Sequence, residues 1–199
     1  MGQKYKNVDG YEPRAIYDII DDWKLVKMPQ KQKESFVKSI VVDILLSAAI
    51  LAGLFMFFWP AVVNGPSMEP TFLSGDYVII SRFSALTGRF SHNDFVASRI
   101  YENGRYITII KRLVAIEGDY VEVKNGIVFV NGEEIYQYSY GVIYDIQNRS
   151  FLLNKGEFFV TGDNGMQSLD SRIIGPLTQN QIIARVLLRI FPFSKFEIF

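Results

Sequence analysis

Val121-Glu-Val-Lys-Asn125-Gly126-Ile-Val-Phe-Val-Asn131-Gly132 alternates apolar and polar residues around one Asn-Gly pair and ends on a second. A period of two lines one face of a strand with every second side chain. Asn-Gly suits a type I′ turn, whose two central residues need positive φ, so the stretch predicts a β-hairpin. Working outward, further strands are predicted at 77–80, 106–116, 157–161 and 182–190, all rich in β-branched or aromatic residues. No long helical period follows residue 64, and there is neither an internal repeat nor a low-complexity tract. The 136 residues from 64 to 199 are the size of one domain. They are predicted to form a compact, mainly β, antiparallel domain.

Upstream the pattern changes. Residues 44–63, ILLSAAILAGLFMFFWPAVV, contain no charge over twenty positions. At about 1.5 Å per residue that is roughly 30 Å, the thickness of a bilayer's hydrocarbon core. A cleavable leader would begin near the N-terminus with a shorter apolar core, whereas here a long polar segment comes first. The stretch therefore predicts one transmembrane helix that is retained, with the anchor as a whole placed at 39–63. Lys24, Lys27, Lys31, Lys33 and Lys38 precede it, and no Lys or Arg occurs from Ala61 to Ser81. Positive-inside logic puts a tail of residues 1–38 in the cytoplasm and residues 64–199 outside. Within the tail, Ile16, Ile19, Ile20, Trp23 and Val26 share one face of a predicted helix that starts at Pro13. Ser67 lies four residues past Val63, within about 14 Å of extended chain, which ties it to the outer membrane face.

Composition narrows the chemistry. Twenty-one basic and twenty-one acidic residues balance, which speaks against a nucleic-acid partner. Cysteine is absent, which excludes disulfides, thiolate metal sites and a Cys nucleophile. The single histidine, His92, lies in a polar loop and rules out any plan needing two. No metal or other cofactor is expected. Ser35-x-x-Lys38 and the sequon spelling Asn148-Arg149-Ser150 are set aside as chance matches, the first because it falls in the cytoplasmic tail.

Three stretches combine tight turns with reactive side chains. In Asn64-Gly-Pro-Ser67-Met68-Glu-Pro-Thr71 the prolines constrain the backbone around a serine. Such a turn either links the helix to the first strand or also holds a hydroxyl forward with free N–H groups for an oxyanion. In Ile107-Thr-Ile109-Ile110-Lys111-Arg-Leu113, strand alternation puts Lys111 on the face of Ile107, Ile109 and Leu113. There, desolvation would lower its pKa from about 10.4 toward neutrality, where an amine is a general base; the alternative is a lysine that snorkels from an edge. Gly162-Asp-Asn-Gly165-Met-Gln-Ser168-Leu-Asp170-Ser-Arg172 is either a solvated hairpin loop or an ordered polar network. It lacks EF-hand spacing and a nearby histidine, so it offers no metal site.

Taken in order, these stretches resemble the type I signal peptidases, membrane-anchored serine proteases of exported proteins. Gly65-x-Ser67-Met68-x-Pro70-Thr71, Gly75-Asp-Tyr-Val78, Lys111-Arg-x-x-Ala115-x-x-Gly118-Asp119 and Gly162-Asp-Asn-x-x-x-Ser168-x-Asp170-Ser-Arg172-x-x-Gly175 match the family's four boxes. The resemblance implies a mostly β catalytic domain and a Ser–Lys dyad, with Ser67 as nucleophile and Lys111 as general base. It also implies that Ser168 orients the lysine and that Asp170 and Arg172 hold the site's shape. Met68, Ile109 and Ile110 would line a shallow pocket for small residues. Ser67 and Gly65 fall at the oxyanion hole, although Gly65 lacks the hydroxyl that some relatives carry there. Gly165 replaces the usual arginine. The short stretch from 119 to 162 implies a small second lobe, as in the Gram-positive branch. Implied partners are signal-peptide-bearing preproteins, membrane lipid and the secretion machinery, at the plasma membrane. The competing readings are a non-enzymatic scaffold of the same fold for surface-protein or pilus assembly and a self-cleaving regulator. Retention of both Ser67 and Lys111 argues against the first, and the anchor against the second.

Overall fold

Three Asn-Gly pairs set the strand pairings. Asn103, Asn125 and Asn131 all have positive φ, as do the glycines that follow them, as type I′ hairpins require. The structure, a computed structural model, describes residues 30–135 and 146–199. The tail helix predicted from Pro13 and the cations Lys24 and Lys27 lie outside the described residues. The chain divides into two units, residues 1–51 and 52–199.

The first unit contributes most of helix α1, Gln30–Phe57. From Glu34 to Phe57 the helix is long and apolar enough to cross a membrane, and none of these residues is buried. An apolar helix uncovered on every side is suited to lipid rather than to water. Its end corrects the sequence expectation. The uncharged run continues to Val63, but Phe58–Val62 is strand β1, not helix. Pro60 lacks an N–H, and β1 is an edge strand, where that loss is tolerated. Ser67 therefore stands ten residues past the helix end, not four past the span.

The second unit is built on two antiparallel sheets, in agreement with the mainly β expectation. The larger joins β1 to β2 (Tyr77–Ser81), β11 (Ile182–Phe191), β3 (Phe95–Glu102), β4 (Arg105–Ala115), β9 (Glu157–Thr161) and β10 (Leu177–Thr178) in that order. The short β12 (Glu197–Ile198) pairs with β11. The smaller sheet runs β7 (Glu133–Glu134), β6 (Ile127–Val130), β5 (Tyr120–Lys124) and β8 (Arg149–Leu152). The predicted hairpin is β5–β6, with Lys124 opposite Ile127 across Asn125-Gly126. Val121, Val123, Val128 and Val130 all face a buried cluster with Phe159 and Leu153.

Two features of this sheet position the site. Strand β4 pairs with β3 from Arg105 to Arg112, but with β9 only from Arg112 onward. Its first half, up to Lys111, is thus a free edge. A second apolar cluster packs Leu113, Val96, Val160 and Ile182 with Ile107 and Ile109. A third packs Met68, Phe72, Val63 and Phe95 with Ile110. The strand that carries Lys111 is fixed from both sides of the sheet. Helices are minor in this unit: α2 (Phe83–Thr87) and α3 (Ser171–Ile174).

Candidate active site

Ser67 lies in the turn between β1 and β2. Gly65 has φ of 86°, a left-handed conformation that glycine adopts without strain. Beyond it, Glu69 N–H donates to Pro66 O and Phe72 N–H to Met68 O, which closes the turn around the serine. Met68 and Phe72 are buried, so the turn is pinned by its own apolar residues. The Ser67 N–H donates to no group among the described residues and is free for an incoming oxygen. Gly65 N–H donates to Ser74 Oγ at 3.3 Å.

Lys111 enters from the end of the free half of β4. Its side chain is buried at 2% exposure, and Nζ lies 2.6 Å from Ser67 Oγ and 3.1 Å from Ile110 O. Burial draws the pKa down from 10.5 to about 8, against the opposing pull of the Asp170 and Asp163 carboxylates; Arg172 adds to the lowering. Desolvation penalises the ammonium, so an appreciable fraction of the amine is neutral near pH 8. A neutral amine at hydrogen-bond distance from a hydroxyl can accept its proton.

The third stretch forms the back of the site. Asp170 caps α3 by accepting from Arg172 N–H, and its carboxylate meets the Arg172 guanidinium at Nε (2.9 Å) and Nη2 (2.8 Å). Both residues are buried, and Arg172 also donates to Gly165 O at 2.9 Å. Gly162 N–H donates to Asp170 Oδ2 at 2.9 Å. The polar network expected of this loop is therefore present. Ser168 is buried close to Gly162, but its Oγ has no hydrogen-bond partner. Its expected bond to Lys111 is not formed; Nζ bonds Ser67 Oγ and Ile110 O instead.

Sequence reasoning missed the clamp that ties the stretches together. Asp163, buried, takes a two-pronged bond from Arg112 at 2.8 and 2.6 Å and accepts from the Thr71 hydroxyl. Arg112 also lies over the Phe95 ring, 4.3 Å from its centroid. Asn164 N–H donates to Ser67 O at 3.1 Å. One loop thus holds both the serine turn, through Thr71 and Ser67, and the lysine strand, through Arg112. Both clamp residues stood inside the family's boxes, Arg112 directly after Lys111. The only signal was two opposite charges in different boxes.

In front of Ser67 is a cleft of about 230 Å³ walled by Ala61–Val63 on one side and Thr108–Ile110 on the other. Met68, Ile109 and Ile110 all line it, together with Ile80 and Ala97. A cleft that ends at a hydroxyl beside a buried amine on an antiparallel β unit is the architecture of a serine peptidase. The family model for signal peptidase, peptidase S26, matches residues 33–191. The chain belongs to that family and is a hydrolase. Signal peptidase IB of Staphylococcus aureus is 32% identical over 156 residues, covering 69% of this chain and 80% of that protein. Signal peptidase I P of Bacillus subtilis subsp. natto is 32% identical over 178 residues, covering 82% and 93%. The crystal structure of a signal peptidase I from Enterococcus faecalis V583 covers 49% of this chain and 96% of its own, at 23% identity and a TM-score of 0.38.

Proposed function

We propose that the chain cleaves signal peptides from exported preproteins with Ser67 as nucleophile and Lys111 as general base. The 2.6 Å approach of buried Lys111 Nζ to Ser67 Oγ is the observation that carries this reading. The neutral amine takes the hydroxyl proton as Oγ attacks the scissile carbonyl, and the tetrahedral oxyanion meets the free Ser67 N–H. The resulting ammonium gives its proton to the leaving amine, and water then hydrolyses the acyl-enzyme with Lys111 again as base.

The cleft supports the substrate class. Its walls are two strand edges, β1 and the free half of β4, each with unpaired backbone groups for an extended peptide. Its small volume admits short side chains next to the cut bond. Asp163, Arg112, Asp170 and Arg172 hold the geometry and touch no substrate.

Helix α1 is the membrane anchor, with residues before it in the cytoplasm and residues 58–199 outside. The support is the lysine bias across the helix. Membrane lipid and the secretion machinery are accordingly its surroundings at the plasma membrane. Ser67→Ala and, separately, Lys111→Ala are expected to abolish preprotein processing by the full chain. Processing retained by either variant, scored as precursor converted to mature form, would overturn the dyad.

A further inference from the structure

The helix end has a consequence for the residues upstream. Because Phe58–Val62 is built into the sheet, the lipid-crossing segment must finish by Phe57. Only fourteen residues, 44–57, follow Asp43 in the helix, about 21 Å at 1.5 Å per residue and short of a bilayer's roughly 30 Å. A full span of about twenty residues that ends at Phe57 begins at Lys38. Asp43 then lies about 7 Å inside the hydrocarbon region. A carboxylate there is costly, and a partner of opposite charge offsets that cost.

Its own helix offers none. The positions that face Asp43, three and four residues away, are Ser39, Ile40, Leu46 and Ser47. Ser47 donates to the backbone carbonyl of Asp43 at 2.7 Å, not to its side chain. Lys38 is five residues away, on another face. Beside the carboxylate, Ser47 and Ala48 form a notch flanked by Ile40, Ile44 and Leu51. Small residues of this kind let a second helix approach closely. A second copy of this chain would enter the membrane in the same direction and set carboxylate against carboxylate. Charge complementarity instead calls for an apolar segment with a cation just inside the same boundary. A signal peptide has that composition, a positive n-region followed by an apolar h-region.

We propose that the anchor helix is a second recognition site for the preprotein, in which Asp43 pairs with a basic side chain at the junction of the n- and h-regions. The h-region packs in the Ser47–Ala48 notch. This rests on the signal-peptidase reading above and deepens it, since the anchor then selects substrates by charge as well as holding the enzyme in place.

The test uses full-length enzyme co-reconstituted with preprotein in proteoliposomes. Three preproteins differ only in the n-region: basic, neutral with Lys and Arg replaced by Gln, and acidic. Asp43→Asn is expected to raise KM for the basic preprotein about five- to tenfold with kcat unchanged, the scale of a lost paired contact. The same substitution should leave KM for the neutral preprotein where it was. Asp43→Lys should restore a low KM toward the acidic preprotein. Leu45→Asn, a polar change on the opposite face, should alter nothing. A KM for the basic preprotein that does not respond to Asp43→Asn overturns the proposal. So does an equal rise for all three preproteins, or a change only in crosslinked dimer, which would mark the face as a contact between copies. Short-peptide hydrolysis that no longer depends on Ser67 would strike the peptidase reading instead, so the two failures are separable.

Discussion

The amine of Lys111 works against the stability of the fold that holds it. Its pKa is about 8 in the folded chain against 10.5 for an ordinary lysine. Between those values the unfolded chain binds more protons, so stability rises with pH through that window. Below pH 8 the whole penalty applies, about 3 kcal/mol at 1.36 kcal/mol per unit. Lys111→Met is therefore expected to remove activity while stabilising the protein at pH 7 by about 1–3 kcal/mol, read as a higher melting temperature. A lower melting temperature would mean that the amine carries no such penalty. Under the proposed dyad, activity has the opposite need, the unprotonated form. The kcat/KM for a cleavage-site peptide should fall about tenfold per unit as pH drops below 8. Gly162 sets a steric limit at the same site. A Cβ there would run into Ser168 Oγ and the Ser67 backbone carbonyl. The carbonyl cannot swing away as a flexible side chain would, so Gly162→Ala should displace the serine and cost about 10²-fold in kcat. Unchanged kcat would mean that the loop yields. The burial of Lys111 was legible in strand alternation, because its neighbours at two-residue spacing are all apolar. The Asp163 clamp was not, since its partners are 51 and 92 positions away and pattern does not encode that distance.

Alternation was legible where one face is buried and lost where both are, although β-branched and aromatic content still marked β9, buried from Phe158 to Thr161. The β5–β6 hairpin alternates cleanly because its sheet has one packed side. Strand β3 begins with four consecutive buried residues, Phe95 to Ser98, so its sequence shows no period of two. Strand β1 was masked differently, by an apolar run that passes from lipid-suited helix into sheet without a polar break. Pro60 was the available signal, since it is tolerated on an edge strand but disrupts a helix interior. Where β1 starts decides how a soluble fragment should be cut. A fragment 64–199 lacks the strand that pairs with β2 from Phe58 through Val62. It also lacks Ala61, Val62 and Val63, one wall of the cleft. It should melt at lower temperature than a fragment 58–199 and bind a cleavage-site peptide with KM raised about tenfold or more, as expected when several contacts of an edge strand are lost. Equal KM values for the two fragments would remove β1 from the binding site.

For the whole molecule, the question is what the anchor adds to a peptidase unit whose proposed catalytic groups all lie between Ser67 and Arg172. Four motifs in order made the family legible without coordinates, and an uncharged run marked the helix. The bond network between the motifs could not be read in the same way. A substrate whose h-region lies in the bilayer meets an anchored enzyme in two dimensions, and shared confinement replaces a bimolecular encounter with a nearly intramolecular one. The gain requires both partners to be held in one membrane. Removing the anchor should therefore cost little on a short soluble peptide and much on an embedded preprotein. The fragment 58–199, which keeps β1, is expected to match the full chain in kcat/KM on the peptide. On preprotein in proteoliposomes it should be slower on the order of 10²-fold, the lower end of what linked binding provides. If Asp43 pairs with the n-region, part of that loss should already appear in full-length Asp43→Asn with the basic preprotein, and none of it with the neutral one. Equal rates for fragment and full chain on the embedded preprotein would show that diffusion to the membrane face suffices and that α1 contributes nothing to substrate choice.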